Sequence, residues 1–354
     1  TEIHQEGIRV PPMTLMRDGA FDEKVLAIMS MNVRKPHLNM GDLKALAGAL
    51  NTGERKILAM VKKFGAKGFM DGLDGLMNYA EHQAREILRG MPDGSYVFAD
   101  YADEDADDGN PCRLNPSFPA AVGMRSLTCA RLRSLIFGAF SLAIPERMPA
   151  APAGSSSIVN VMTTDERTHR SVIAAINPVV GGGGGMPHRD GPNGSGADAA
   201  YLKNTPIEIT ETEVPIQFVR YGLLPDSGGA GRWRGGLATV MEFKVFAPNS
   251  RITVRNRDRS HFRPWGTLGG LSAETSNFII NPGAANERVL GNIDIAIAEP
   301  GDIIHIHSPG GGGRDSPLDR EPERVLLDVE RGYVGVEKAA SLYGVVIREG
   351  AIDE

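Results

Sequence analysis

The chain has 354 residues, 41% of them apolar and 23% charged, and its formal net charge is −6 at pH 7. This length favours two or three structural units with a sizeable core. The acidic balance argues against a nucleic-acid-binding protein, because such proteins usually carry a basic face. No apolar run is long enough to cross a bilayer and no signal peptide is evident, so we expect no membrane association. The two cysteines, Cys112 and Cys129, lack zinc-site spacing and favour a reducing cytoplasm.

The first region, residues 1–111, has the pattern of a mainly helical unit that follows an extended N-terminal segment. Between Phe21 and Gln83 apolar residues recur at spacings of three and four, which predicts a helix pair with Gly65 and Gly68 as stops. The methionines of this region are expected to fill the core. An acidic run between Asp100 and Asp108 lacks the spacing of a calcium loop, and we expect a solvated loop there.

Three polar residues alternate near the start of the chain. Glu2, His4 and Glu6 would share one face of an extended segment. Their side chains are of the types that bind metal ions, which makes them candidate ligands, and a solvated strand edge is the alternative.

The next region, residues 112–200, combines a helix with a glycine-rich loop region. Thr128–Leu142 has the pattern of an amphipathic helix, with Arg131 and Arg133 outside its apolar stripe. A strand is predicted at Ile158–Met162.

Residues 201–322 change to short alternating segments separated by turns rich in glycine and proline. The predicted strands are residues 207–211, 214–221, 238–246, 250–255, 277–281 and 302–307. A C-terminal helical segment follows in residues 323–354. The predicted fold class is α+β: a helical N-terminal half packed on a mainly antiparallel C-terminal half that forms a β-sandwich or a barrel-like unit.

The stretch Pro178–Gly196 holds five consecutive glycines, followed by His188, Arg189 and Asp190. Glycine runs occur where backbone must approach something closely, and they also occur in flexible linkers. The stretch places an acid, a base and a fixed cation side by side, with Asn193 just beyond. This combination favours a binding or catalytic site over a linker.

Two further patterns bear on ligands. His305 and His307 would lie on one face of a strand, which is acceptable geometry for a metal, although no third ligand is evident. The run Gly310–Gly313 lacks the GxxxxGK[ST] pattern of a phosphate loop, so we expect ATP to bind to a partner and not to this chain.

The segment DSGGAGRWRGG at residues 226–236, with Pro264-Trp265-Gly266 and the run SPGGGG at residues 308–313, resembles the hydantoinase B/oxoprolinase family. Further family-like segments extend the resemblance over nearly the whole chain. Members usually begin with a region that carries an Asn-Asp-Pro motif and metal-ligand-like histidines and aspartates, which this sequence does not contain. We therefore expect either a short member or part of a longer polypeptide.

The resemblance implies a two-component reaction in a hetero-oligomer. An actin-like, ATP-binding A subunit of the hydantoinase A type would phosphorylate the substrate, and this chain would complete the reaction on the activated small molecule. For the complex the resemblance implies a divalent ion, which is zinc, manganese or magnesium.

Such a reaction needs donors for phosphate or an oxyanion and a base for water. We predict an anion nest from Gly182, Gly183 and Gly184 with Asn193. Arg189, Arg232 and Arg234 are predicted to supply positive charge. His188 or Asp190 is predicted to act as acid or base.

The resemblance favours hydrolysis of a cyclic amide such as a hydantoin, 5-oxoproline or another lactam. An ATP-dependent carboxylase of acetone or acetophenone is the related alternative, and a noncatalytic scaffold is the alternative of another class.

Overall fold

Helices build the first part of the chain and antiparallel sheets build most of the rest, which confirms the predicted α+β class. The computed structural model describes residues 10–33, 36–101, 103, 122–154, 156–165, 169–195, 204–255, 258–291 and 295–353. The chain divides into one unit of residues 1–93 with 117–121 and another of residues 94–116 with 122–354. None of the helices in the described ranges is both long enough and apolar enough for a membrane span.

The first unit opens on a short hairpin of β1 (Met16–Arg17) and β2 (Ala20–Phe21). Helix α1 (Glu23–Met31) begins at Asp22, whose carboxylate accepts hydrogen bonds from the N–H groups of Lys24 and Val25 at 2.9 and 3.1 Å. This satisfies two of the donors that a helix leaves free at its start.

Helix α2 (Pro36–Arg89) spans 54 residues and is interrupted at Gly65, where φ is 75° and ψ is 157°. The predicted break at Gly65 is confirmed, whereas Gly68 lies within the helix. The expectation that the methionines fill a core is wrong for several of them, since Met31 is 87% exposed and Met77 is 72% exposed.

The second unit begins with helix α3 (Val122–Ala143) and continues with strands, two later helices and a terminal hairpin. In chain order its further elements are β3 (Ser156–Asp165), β4 (Arg170–Val180), α4 (Ile207–Glu213), β5 (Ile216–Leu223), β6 (Thr239–Val245), β7 (Ser250–Arg255), β8 (Asn277–Ile280), β9 (Arg288–Val289), β10 (Ile295–Ala298), β11 (Ile303–His307), a 3₁₀ turn (Pro317–Asp319), α5 (Pro322–Glu330), α6 (Val336–Tyr343), β12 (Ile347–Arg348) and β13 (Ala351–Ile352).

Two antiparallel sheets supply the core of this unit. One has the strand order β10-β7-β3-β4 and the other β5-β6-β11-β8-β9. Alternate side chains of both sheets, including Val159 and Val161 from β3, Phe243 from β6 and Ile304 from β11, join one fully buried cluster. The sheets therefore form a sandwich, in agreement with the first of the two predicted architectures.

The strand pairing differs from the predicted region boundaries. Strand β3 pairs with β7, with Val161 opposite Ile252, so one sheet joins strands from the predicted regions 112–200 and 201–322. The C-terminal segment 323–354 belongs to the same unit. Residues 94–101 also lie in it.

The predicted strand at residues 207–211 is helix α4. Its five-residue alternation is short, while Pro206 caps the helix and Glu208 lies in its first turn, where a negative charge is favourable. Glu211 accepts the backbone N–H of Phe218 at 2.7 Å and so ties the helix to β5.

The side chains of Asp100 and Asp103 are buried, which contradicts the predicted solvated loop at these two positions, while the other acidic residues of the run lie outside the described residues. Arg259, fully buried, donates to both carboxylate oxygens of Asp100 at 3.0 and 2.9 Å. Arg131, predicted to lie outside the apolar stripe of its helix, is also buried and pairs with both Asp100 and Asp258. Such pairs form because a buried charge is stable only with a partner.

Candidate functional site

Glycine segments from distant parts of the chain meet in the interior of the second unit. The N–H of Gly236 donates to the carbonyl of Gly183 at 2.7 Å, and the N–H of Gly311 donates to the carbonyl of Gly236 at 2.9 Å. A Cβ atom added at Gly182 would lie within 3.0 Å of the carbonyl oxygen of Gly236. We call residues 181–185, 235–236 and 310–313 the glycine core, because backbone packs directly on backbone there.

The three glycines that were predicted to form an anion nest, Gly182, Gly183 and Gly184, belong to the glycine core. The N–H of Gly182 donates to Pro309 at 3.1 Å and that of Gly183 donates to Pro192 at 2.9 Å. Gly184 is buried, and a Cβ atom there would lie within 3.0 Å of the carbonyl of Ala150. The N–H donors of Gly182 and Gly183 are therefore already engaged, and the burial of residues 181–185 contradicts the linker alternative.

A turn at residues 186–189 projects from this core. The N–H of Met186 donates to the carbonyl of Arg189 at 3.0 Å, which closes the turn. His188 has φ of 67°, a left-handed conformation that is uncommon for a residue other than glycine. The side chains of His188 and Arg189 are exposed, so both predicted site residues are accessible to a ligand.

Asp190 points the other way, into an ion-pair cluster. Arg320 donates to both of its carboxylate oxygens at 2.7 and 2.9 Å, and the backbone N–H of Arg234 donates to Oδ1 at 2.8 Å. Burial raises the pKa of Asp190. The hydrogen bonds from Arg320 and its positive charge outweigh this effect, so the pKa of Asp190 is held below its ordinary value. A carboxylate held ionised in this way is a poor proton donor. The geometry favours a positioning role, and the acid–base role of Asp190 stays a prediction.

Asn193 and Arg234 also face inward. The Oδ1 atom of Asn193 accepts the N–H of Leu237 at 2.9 Å, and Arg234 is only 3% exposed. The Arg234 guanidinium donates to its neighbour Gly235 at 2.6 Å and lies 3.5 Å from Asp328. Both side chains brace the glycine core. Arg234 lacks the exposure that the predicted anion contact requires, whereas Asn193 is partly exposed and its anion contact stays a prediction.

Arg232 is exposed and lies over the indole of Trp233, with its guanidinium carbon 5.8 Å from the ring centroid. The guanidinium of Arg324, on helix α5, lies 5.2 Å from the same ring, and the His188 ring meets it edge-on at 6.5 Å. We call His188, Arg232 and Arg324, arranged around Trp233, the cationic face. Neither arginine makes an ion pair with any other residue that the structure describes.

The cationic face is the part of the predicted site that remains available for an anion. Guanidinium groups recognise phosphate and carboxylate oxygens through two parallel N–H donors, and the indole fixes their orientation. The sequence did not point to Arg324, because it lies on a helix some ninety residues after Trp233 and only the fold brings the two together.

The described residues offer no closed metal site, with three or more protein ligands, for the divalent ion that the sequence resemblance implies. Within the described ranges, no three or more histidine, cysteine, aspartate or glutamate side chains are grouped to hold a metal. The candidate ligands Glu2, His4 and Glu6 lie outside the described residues.

Comparison with known proteins decides the family. The sequence model of hydantoinase B/oxoprolinase matches residues 1–114 and 105–317. The chain belongs to the hydantoinase B/oxoprolinase family. This confirms what the segment at residues 226–236 predicted, and it places the glycine core and the cationic face in a family member.

Two curated relatives show which proteins this family member is similar to. It is 27% identical to the beta chain of the caprolactamase of Pseudomonas jessenii, over 100% of this chain and 74% of the relative. It is 22% identical to the B-type chain of a putative D-/L-hydantoinase of a Pseudomonas species, over 98% of this chain and 72% of the relative.

Solved structures agree on the fold. The crystal structure of the ATP-dependent caprolactamase from Pseudomonas jessenii superposes on 99% of this chain and 74% of that chain, with a TM-score of 0.77 and 24% identity. A nucleotide-free acetone carboxylase matches 62% of this chain and 34% of that chain, with a TM-score of 0.52 and 21% identity.

Proposed function

We propose that this chain is the B-type component of a cytoplasmic ATP-dependent amidohydrolase that opens a cyclic amide. The observation that carries the proposal is its alignment with the beta chain of a caprolactamase over its whole length. Hydantoin, 5-oxoproline and caprolactam are the substrates to test, since all contain an amide within a ring.

The chemistry explains why ATP and a second subunit are needed. An unstrained lactam is a poor electrophile, and transfer of the γ-phosphoryl group of ATP to its oxygen makes attack by water feasible. Over the full reaction two waters are consumed, one to break the ring C–N bond and one to release inorganic phosphate. The printed sequence contains no GxxxxGK[ST] loop, so we assign ATP binding to an actin-like A-type partner.

The cationic face would hold the phosphorylated substrate. Arg232 and Arg324 supply fixed positive charge beside Trp233, and these charges stabilise a phosphate or an oxyanion more strongly as water is excluded. His188 is the accessible side chain of this face that could serve as general acid or base, a role that histidine fills most often in enzymes. The described residues include no group of three or more ligand side chains for the divalent ion expected for the complex, so no step is derived through it.

A ketone carboxylase is the second candidate, because the fold also matches acetone carboxylase over 62% of the chain. In that reaction, transfer of a phosphoryl group from ATP would activate bicarbonate or an enol in the same way. The two functions differ in the bond that changes: a C–N bond breaks in the amidohydrolase, whereas a C–C bond forms in the carboxylase.

Reconstitution tests the proposal. The chain is combined with an A-type partner, and ring opening is measured with each of the three cyclic amides and ATP, with acetone plus bicarbonate as the competing reaction. We expect ring opening only when ATP and both components are present, and no ATP hydrolysis by this chain alone. Carboxylation without ring opening would replace the proposal with its alternative, and ring opening without ATP would contradict both.

A further inference from the structure

A row of three polar side chains lies on the outer face of the five-stranded sheet, apart from the cationic face. Glu242 on β6 is the direct cross-strand neighbour of His305 on β11, and His307 lies two residues further along the same strand. Side chains two apart share one face of a strand. Strand β11 pairs with β6 on one side and β8 on the other, so the backbone that carries both histidines is fixed on two sides.

The three side chains form a continuous hydrogen-bonded row. Oε1 of Glu242 lies 2.8 Å from Nδ1 of His305, and Nε2 of His305 lies 2.8 Å from Nδ1 of His307. The two imidazole rings are nearly perpendicular, at 81°, with centroids 5.1 Å apart. The side chains of His305 and Glu242 are 12% and 19% exposed, so the row is largely buried and keeps limited contact with solvent.

We propose that Nε2 of His305 and Nδ1 of His307 bind a divalent transition-metal ion, with Zn²⁺ as the reference ion. Imidazole nitrogen binds zinc at about 2.0–2.1 Å, so a tetrahedral ion holds two such nitrogens about 3.3 Å apart. The two nitrogens therefore need to separate by about half an ångström from their present 2.8 Å, and the rings need to turn so that both lone pairs point to the ion. The ion then replaces the hydrogen bond between them.

Glu242 completes the arrangement without touching the ion. A metal-binding histidine usually donates its other ring N–H to a carboxylate, which fixes its tautomer and makes the ligating nitrogen more basic. Glu242 already accepts from Nδ1 of His305 in this way, which leaves the lone pair of Nε2 directed at His307.

Among the described residues the site has two protein nitrogens, and the proposal leaves the remaining coordination positions to water. It is not one of the larger groups of ligand side chains, none of which occurs in the described ranges. This makes it an open, exchangeable site, in contrast to structural zinc sites that are closed by four protein ligands. Imidazole ligands favour Cu²⁺ and Zn²⁺ over Mg²⁺ and Ca²⁺, which prefer oxygen. The inference does not depend on the proposed function.

Equilibrium dialysis of the full chain against Zn²⁺, in excess Mg²⁺, tests the site. Wild-type protein is compared with His305→Gln, His307→Gln and Glu242→Gln, and with His82→Gln as the control because His82 is an exposed histidine of helix α2. We expect each of the first two variants to lose one equivalent of bound Zn²⁺. Glu242→Gln should weaken binding at this site by about 10- to 100-fold, and His82→Gln should match wild type.

A spectroscopic readout separates this site from other zinc bound to the chain. Cu²⁺ added at one equivalent should give an electron paramagnetic resonance spectrum with coupling to two nitrogens, which becomes one nitrogen in His307→Gln. Circular dichroism confirms that each variant is folded. Equal Zn²⁺ stoichiometry and affinity in wild type, His305→Gln and His307→Gln would overturn the proposal, as would a Cu²⁺ spectrum without two-nitrogen coupling in the wild type.

Discussion

The long helix α2 and the glycine core differ in opposite ways from the usual rule that apolar side chains are buried. Helix α2 carries many large apolar side chains, yet Leu50, Leu76 and Met77 are among those that are exposed. The glycine core has no side chains at all, and its residues 181–185 and 310–313 are buried throughout. Hydrophobicity therefore does not mark the most tightly packed part of this chain.

The difference has a physical cause. In the glycine core, hydrogen bonds between backbones replace side-chain packing, and carbonyl oxygens occupy the space where Cβ atoms would lie. Along α2, the exposed apolar side chains contribute little to stability within the first unit, since stabilisation follows the area removed from water. Substitutions should therefore destabilise the protein more in the glycine core than at the exposed apolar positions of α2.

The largest effect is expected for Gly182→Ala. The new methyl group would overlap the carbonyl of Gly236 and lie 2.7 Å from the N–H nitrogen of Gly311, and both are backbone atoms that cannot rotate away. We expect the free energy of unfolding to fall by about 3 kcal/mol or more, measured by urea denaturation. Gly222→Ala is the matched control, because nothing lies within 4 Å of its added carbon. Equal stability of the two variants would contradict the packing described for the glycine core.

A smaller loss is expected for Asp190→Asn, which leaves Arg320 with one carboxylate partner, Asp328. Removing one member of a largely buried pair should cost about 2–4 kcal/mol at pH 7. Because the pKa of Asp190 is lowered on folding, its stabilisation is present above the ordinary carboxyl pKa and is lost as pH falls through the folded value. The stability difference between wild type and Asp190→Asn should thus shrink in acid. An exposed control, Asp319→Asn, should change stability at pH 7 by less than about 0.5 kcal/mol. A pH-independent difference for Asp190→Asn would refute the ion-pair assignment.

The smallest effect is expected for Met77→Gln in helix α2. This side chain is exposed, and surface substitutions usually change stability by less than about 0.5 kcal/mol. Phe243→Ala, in the fully buried sandwich core, provides the contrast, with an expected loss of about 3–5 kcal/mol. A loss above about 1.5 kcal/mol for Met77→Gln would mean that Met77 is covered in solution.

The local pattern of the sequence predicts single elements well. Residues 250–255 alternate cleanly, and their predicted bounds match those of strand β7. The full length of strand β4 is not predicted, because it runs directly into the glycine tract, whose composition obscures the strand pattern. Helix α4 is mistaken for a strand because its alternation covers only five residues.

The contacts between residues that lie far apart in the chain could not be predicted from the sequence. The glycine run correctly indicated close backbone approach, but it did not reveal that another backbone, and not a ligand, is the neighbour. The pairing of Asp100 with Arg259 spans 159 residues, and the approach of Glu242 to His305 depends on the register of β6 and β11. Asp190 looked like a catalytic acid in sequence because its partner, Arg320, lies 130 residues away.

The central claim is that a purely structural glycine core presents a reactive cationic face. Its most direct test is the turnover of a cyclic amide by the reconstituted complex carrying His188→Ala, measured beside its melting temperature. Because a positioned acid or base contributes about 10²- to 10⁴-fold, we predict that turnover falls more than tenfold while the melting temperature and the assembly of the complex stay unchanged. Turnover at the wild-type rate would contradict the account and favour a noncatalytic scaffold.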